Sequence, residues 1–238
     1  MKYYHYFDDL NQEVGNYLNT PEGWDVLREK GKGINSYFFI PEEREAWQQK
    51  ALADQELTLR ARSIVDFIKD KFQSLHSVGV GNAHLEYLLK LYNPAMKLTC
   101  SDFAPKGIER LKQVFKEANR VFAFDMFKRD WRDVNGEDLY LFYRVDTVFD
   151  DNQWADVLAK MSQAGIKNIL FIPSEILTLP RILKLKIKYF IFALLRKRVT
   201  FSGFVRTQKR FITLLSGSYQ VKQILRFHDL TGFLISLN

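Results

Sequence analysis

Residues Ser77 to Leu89 read SVGVGNAHLEYLL, a glycine-rich turn set between an apolar run and a helix-like stretch. Small residues at Gly79, Gly81 and Ala83 let the backbone turn tightly. They also let a ligand approach the helix amino terminus, where free amides and the helix dipole favour negative charge. A Gly-x-Gly alone also turns ordinary loops, so its meaning depends on what stands at fixed distances from it. Downstream, short apolar runs alternate with helical ones: LHSVGV (75–80), a helix over 82–92, KLTCS (97–101), a helix over 105–118, VFAF (121–124), DLYLFY (138–143), a helix over 151–164 and KNILFI (167–172). Strand and helix alternating in units of roughly 20–30 residues predict a parallel sheet covered by helices on both faces, a doubly wound α/β domain.

The carboxyl-terminal part has a different rhythm. YQVKQILRFHDLTGFLISL (219–237) contains two β-rich runs joined at HDLTG and is expected to form an antiparallel hairpin closing the sheet edge. Before it stand a basic, apolar segment after Pro180, an expected helix over FVRTQKRFITLL (204–215) and a stop at Gly217. Upstream of the glycine turn, residues 1–73 read as mostly helical, with an aromatic cluster at Tyr3, Tyr4, Tyr6 and Phe7 and a loop over Gly31 to Ile40. The helical period is clearest over Glu43 to Phe72, where glycine and proline are absent. The expected organisation is a helical amino-terminal cap, 1–73, and a doubly wound domain, 74–238, whose sheet is mainly parallel and seven-stranded, with a basic apolar insertion at about 176–203.

With 238 residues, 47% apolar and 26% charged, the chain suits one globular domain with room for an appended part. The single cysteine, Cys100, excludes an internal disulfide, and His5, His76, His84 and His228 show no metal-ligand spacing, so no metal and a reducing, cytoplasmic setting are expected. MKYYHYFDDLNQ meets Asp8 and Asp9 before any apolar stretch and is expected to be neither a signal peptide nor an anchor. The net charge of +7 is uneven: residues 176–228 hold 12 Lys and Arg and no acid, leaving 23 basic against 28 acidic residues elsewhere. Such a basic region meets membrane headgroups, anionic substrates or nucleic acid, or is a solvated face balanced by acids elsewhere in the fold. ILKLKIKYFIFALLRKR (182–198) is too short, and too interrupted by Lys184, Lys186 and Lys188, to span a bilayer. It suits an interfacial element at an anionic inner membrane surface, or an insertion that covers the substrate.

Two acids give the glycine turn its context. Asp102, in SDFAPKGIERLK, ends the second strand about 20 residues on, placed to accept hydrogen bonds from both hydroxyls of a ribose. Asp125 ends the third strand, where a carboxylate can meet an adenine amine while Met126 packs beside the ring. Both can also be plain helix caps or loop acids, a reading the full order of elements disfavours. The succession GVGNAHLEYLL, LTCSDFAPKGIERLK, FAFDMF, DLYLFYRVD and a terminal hairpin resembles the class I S-adenosylmethionine-dependent methyltransferases over about residues 74–238. Ser101 to Pro105 is the most specific part. The resemblance implies a Rossmann-like fold and S-adenosyl-L-methionine as cofactor. It places Gly79 and Gly81 against the methionine part, Asp102 on the ribose, and Asp125 with Met126 at the adenine, and it counts Ser77, Phe103 and Tyr143 among the cofactor contacts. Members often carry an acid where Ser77 stands and a glycine at Ala83; a serine can still hydrogen-bond a ligand amine directly or through water.

Methyl transfer is one displacement, so the protein mainly aligns the acceptor and supplies a base if that acceptor is a hydroxyl. The best-placed residues follow the fourth strand. Arg144 and Asp146, with Arg206, are expected to touch substrate, and Asp146 is a candidate general base, though equally a helix cap or solvated acid. His84, beside the glycine turn, is a second catalytic candidate; a lone histidine, like His228, is more often structural. Nucleic acid is not an expected partner, since YRVD replaces the Asn/Asp-Pro-Pro-aromatic piece of amino-methylating DNA enzymes and Cys100 lies in a strand rather than at a nucleophile's position. The basic segment and nearby Phe204 to Thr207 point to a small-molecule, glycan or lipid-linked acceptor. Two readings compete: an NAD(P)-linked oxidoreductase, disfavoured by the missing third glycine and by Glu86, expected to repel a pyrophosphate; and a non-catalytic, membrane-associated cofactor-binding protein.

Overall fold

The computed structural model describes residues 3–7, 22–23, 39–195 and 200–237. Most of the loop expected over Gly31 to Ile40, and the basic run at 196–198, lie outside the described residues. The aromatic front, expected to be helical, is a strand, β1 (Tyr3–Phe7). Tyr and Phe favour extended backbone, and this run gains a hydrogen-bonding edge far along the chain. The helical stretch Glu43 to Phe72 is two helices, α1 (Arg44–Ala53) and α2 (Gln55–Ile68). Asp54 divides them, leaving α1 in extended conformation while its carboxylate accepts the Leu57 amide at 2.9 Å to cap α2.

From there the alternation runs as expected: β2 (Ser74–Val78), α3 (His84–Tyr92), β3 (Lys97–Asp102), α4 (Pro105–Val114), β4 (Arg120–Ala123), β5 (Leu139–Tyr143), α5 (Asp151–Gln163) and β6 (Asn168–Ile172). The insertion is β7 (Ile176–Leu177), α6 (Leu179–Leu194) and β8 (Thr200–Thr207). It therefore runs past residue 203, and the helix expected from 204 starts later, as α7 (Gln208–Leu215). The reason is local: Phe204 and Val205 pair with β1, and the Thr207 hydroxyl caps α7 at the Arg210 amide, 3.3 Å away. β9 (Gln220–Phe227) and β10 (Leu230–Ser236) form the terminal hairpin.

Seven strands form the main sheet in the order β4-β3-β2-β5-β6-β10-β9. The first five are parallel, and β10 runs antiparallel to both β6 and β9. A smaller sheet has the order β1-β8-β7. Each strand alternates its side chains between two layers: Leu139, Leu141, Leu170 and Ile172 join one core with Trp47, Ile64, Ile68 and Leu88, while Tyr140, Phe142, Ile169 and Phe171 join another with Trp154, Leu158, Phe211 and Phe233. Both faces are covered, which is why these strands read as continuous apolar runs. Each such buried side chain contributes about 1.5–3 kcal/mol. Because α1 and α2 share the first core with β2 and β3, the boundary placed after residue 73 separates no core of its own.

The strand order also locates a crevice. From β2 the chain proceeds outward through β3 and β4, then returns to lay β5 and β6 on the opposite side. The loops after β2 and β5 thus part in opposite directions, and in open α/β sheets ligands bind outside the strand ends at such a reversal.

Candidate functional site

The turn after β2 is held from both sides. The Gly79 amide donates to the Ser101 carbonyl at 2.8 Å, and the Gly81 amide to Asp102 Oδ2 at 2.9 Å. Gly79 and Gly81 have φ of +76° and +59°, which L side chains rarely adopt. A Cβ at Gly79 would stand 2.6 Å from Val145 Cγ1, whereas one at Gly81 would meet nothing within 4 Å. Gly79 is thus fixed by packing, and Gly81 opens onto free space. Ala83, where a third glycine was absent, is buried and left-handed at φ 56°, and no side chain caps α3 from that position. Trp47 of α1 pins the turn from outside, its Nε1 donating to the Asn82 carbonyl at 2.8 Å.

Under the turn lies a residue whose role the sequence reading missed. Ser77 Oγ donates to Glu86 Oε1 at 2.6 Å, both side chains being buried. Glu86, expected to face a ligand, instead points into the core. Burial raises its pKa to about 7, opposed by the Ser77 hydrogen bond and assisted by the Asp102 charge. The same carboxyl adds to the burial that pushes the Cys100 thiol up. HLEYLL sets one acid in a helix with apolar residues all round, a pattern that leaves no outer face to say where the acid points.

Asp102 and Asp125 close the same edge. Asp102 is buried; its Oδ1 accepts the Ala104 amide at 3.0 Å while Oδ2 holds Gly81. Phe103 is half-buried beside Asp102. The Phe124 amide donates to the Asp102 carbonyl at 2.8 Å, tying the ends of β3 and β4 together. Asp125, half-buried, accepts the Phe127 amide at 3.0 Å and pairs with Lys128 at 3.3 Å; buried Met126 follows, its carbonyl accepting from Trp131 Nε1 at 3.2 Å. Adjacent parallel strands therefore present the glycine turn, Asp102 and Asp125 in sequence along one rim.

Across the reversal, the structure reassigns several expected substrate contacts. Asp146 is fully buried: Oδ1 accepts the Ser174 amide at 2.6 Å, and its carbonyl accepts from Trp154 Nε1 and Arg206 Nη1. Burial raises its pKa to about 6 against the pull of Ser174 and Arg206. Arg206, expected on substrate, is spent inside the fold, with Nε on Asp151 Oδ1 at 2.7 Å and Nη2 on the Phe149 carbonyl at 2.6 Å. A guanidinium this buried needs such partners, and Asp151, whose burial is outweighed by Arg206 and Arg210, has its pKa lowered. Arg144 is exposed at φ 58°, its carbonyl accepting from Ser174 Oγ at 3.1 Å. Tyr143 is half-buried and interacts with Arg60. His84 packs on Trp47 at 5.8 Å, and burial, with Lys50, lowers its pKa to about 4, so at neutral pH it is an uncharged core ring. His228 lies at the exposed hairpin bend, 2.9 Å from Glu56. A concavity between Gln73, Glu137 and Lys167 sits at the amino ends of β2, β5 and β6, the wrong end for this crevice.

No family model matches the sequence, and neither does any curated protein. Solved structures match in three dimensions. Human N-acetylserotonin methyltransferase, solved with S-adenosylmethionine, superposes with a TM-score of 0.60 at 21% identity over 95% of this chain and 65% of its own. The mitomycin 7-O-methyltransferase MmcR gives 0.63 at 18% over 90% and 60%, and the S-adenosylmethionine-dependent methyltransferase SibL 0.57 at 14% over 97% and 71%. The chain has the class I S-adenosylmethionine-dependent methyltransferase fold. The chain spans less than two thirds of the first two proteins' lengths. Within this methyltransferase fold, the rim of Gly81, Asp102 and Asp125 lies on one side of the β2/β5 reversal and Arg144 with the Ser174 loop on the other.

Proposed function

We propose that the chain is an S-adenosylmethionine-dependent methyltransferase acting on a small-molecule acceptor. One observation carries the reading: in this fold, a left-handed glycine turn with open space over Gly81 stands beside two acids that end the next two strands. The residues present fit the cofactor. Asp102, a carboxylate at the end of β3 beside the glycine turn, suits ribose hydroxyls, Asp125 and Met126 suit an adenine edge and face, and Phe103 and Tyr143 add flanking surface. Ser77, where the resemblance would have an acid for the amine end, has its hydroxyl turned to the buried Glu86 instead. When bound, S-adenosylmethionine supplies the electrophilic methyl group.

The chain's own residues then bind, orient and exclude water. Asp146 is a positioning residue, since its carboxylate holds Ser174 and, through it, the Arg144 carbonyl on the acceptor side. Arg144, exposed there, is the group available to an anionic acceptor. An amine that arrives deprotonated needs no base. The exposed apolar and basic α6, in the insertion that follows the Ser174 loop, favours a lipid-linked acceptor, glycan carriers included. The test is Asp102→Ala: titration with S-adenosylhomocysteine should show a loss of about 1–3 kcal/mol, as expected for removed hydrogen bonds to a charged acceptor. Unchanged affinity in a folded variant would remove Asp102 from the site.

A further inference from the structure

Seven of the eleven large apolar side chains exposed among the described residues lie between positions 179 and 195: Leu179, Leu183, Ile187, Phe190, Ile191, Leu194 and Leu195. Scattered exposed leucines are ordinary, but a contiguous stripe marks an interaction surface. Steps of four, four, three and four from Leu179 to Leu194 put five of them along one line of α6, with Phe190 65% and Leu194 67% exposed. At about 100° per residue, Lys186 borders that stripe on one side and Lys184 with Lys188 on the other. The opposite face is already used: Leu185, with Ile182 and Tyr189, packs on Leu177 and Val205. The helix is therefore anchored by one face and presents the other outward. Its start is fixed by Arg181, whose Nε lies 2.6 Å from Glu175.

We infer that α6 lies in the plane of an anionic membrane and docks the protein there, its apolar stripe among the acyl chains and its lysines at the headgroups. The charges select this occupant. Residues 176–228 contain no acid, so the stripe has cations on both borders and no anion within the segment to meet them. A second copy docking stripe to stripe would bring lysine borders together, whereas anionic headgroups neutralise both, with lysine stems reaching past the apolar edge. With 16 residues α6 is shorter than a span requires, and no helix among the described residues is long and apolar enough to cross a membrane. The inference stands on α6 alone and does not require the methyl-transfer reading.

Vesicle flotation of the full chain tests it, comparing phosphatidylcholine with vesicles that also carry about 30 mol% phosphatidylglycerol. Binding is expected to the anionic vesicles and to weaken between about 0.05 M and 0.5 M salt, as screening shortens the reach of the lysines. Ile187→Glu with Phe190→Glu should lower partitioning by at least roughly tenfold, with circular dichroism and thermal midpoint unchanged because both side chains are exposed. In a separate variant, Phe190→Trp, anionic vesicles should shift the added fluorescence to the blue. Absence of binding at low salt, or binding unaffected by the double glutamate variant, would overturn the inference. So would self-association abolished by that variant in a protein that ignores vesicles.

Discussion

At the scale of single residues, the Ser77 and Glu86 pair is the most consequential. A carboxyl completely buried beneath a ligand-facing turn is stable in its neutral form, and its single hydroxyl partner offsets only part of the cost of ionising it. An unfolded glutamate releases its proton near pH 4.5, the folded one near 7. Between those values the folded state holds more protons than the unfolded, so this group's contribution falls as pH rises, and the penalty is complete above about pH 7. Glu86→Gln keeps an acceptor for Ser77 and should therefore be more stable than the parent at pH 8 by roughly 3 kcal/mol, with the difference vanishing below about pH 4. Denaturant melts of both proteins across that range measure it; a gap that does not change with pH would place the Glu86 carboxyl in water. Asp146 titrates in the same direction but is common to both proteins and cancels. Asp102 and Asp125 were legible because each ends an apolar run, a position that sequence marks plainly. The inward aim of Glu86 was not, since a helix with apolar residues on every side has no evident outer face.

At the scale of elements, the regular alternation from β2 to β6 could be read in order because β2, β3, β5 and β6 are almost wholly buried apolar runs, while the edge strand β4 is largely exposed and α4 ends at Val114, short of the expected 118. Asp150 accepts the Gln153 amide while the Gln153 side chain returns to the Asp150 amide, opening α5 where a capping box predicts. The insertion was harder. β1 and β8 pair residues about two hundred positions apart, Tyr3 opposite Val205, and no local signal announces such a partner. Arg206 was misassigned for the same reason, because its carboxylate, Asp151, starts a helix 55 residues earlier. As a buried anchor between β8 and α5, Arg206 should cost about 3–5 kcal/mol of stability when replaced by alanine, since Asp151 and two carbonyls lose a partner. A thermal melt decides the matter. A substrate clamp would leave the midpoint of Arg206→Ala untouched and lower activity only.

At the scale of the whole molecule, a seven-stranded sheet with a reversal between β2 and β5 brings the glycine turn, Asp102 and Asp125 to one rim, though they are separated by tens of positions. The sheet holds the rim from below, α1 pins its glycine turn from outside, and α6, packed on the small sheet, turns an apolar face away from the core. The fold was legible in sequence because order and spacing determine it; the acceptor was not, because Arg144, the Ser174 loop and the insertion across the reversal follow no shared pattern. Calorimetric titration of the full chain with S-adenosylmethionine, S-adenosylhomocysteine and NADH tests the central claim most directly. The two adenosyl ligands should bind at one site with a Kd of about 100 µM or tighter, and NADH should give no saturable heat. One-site binding of NADH with no response to either adenosyl ligand would contradict the methyltransferase reading.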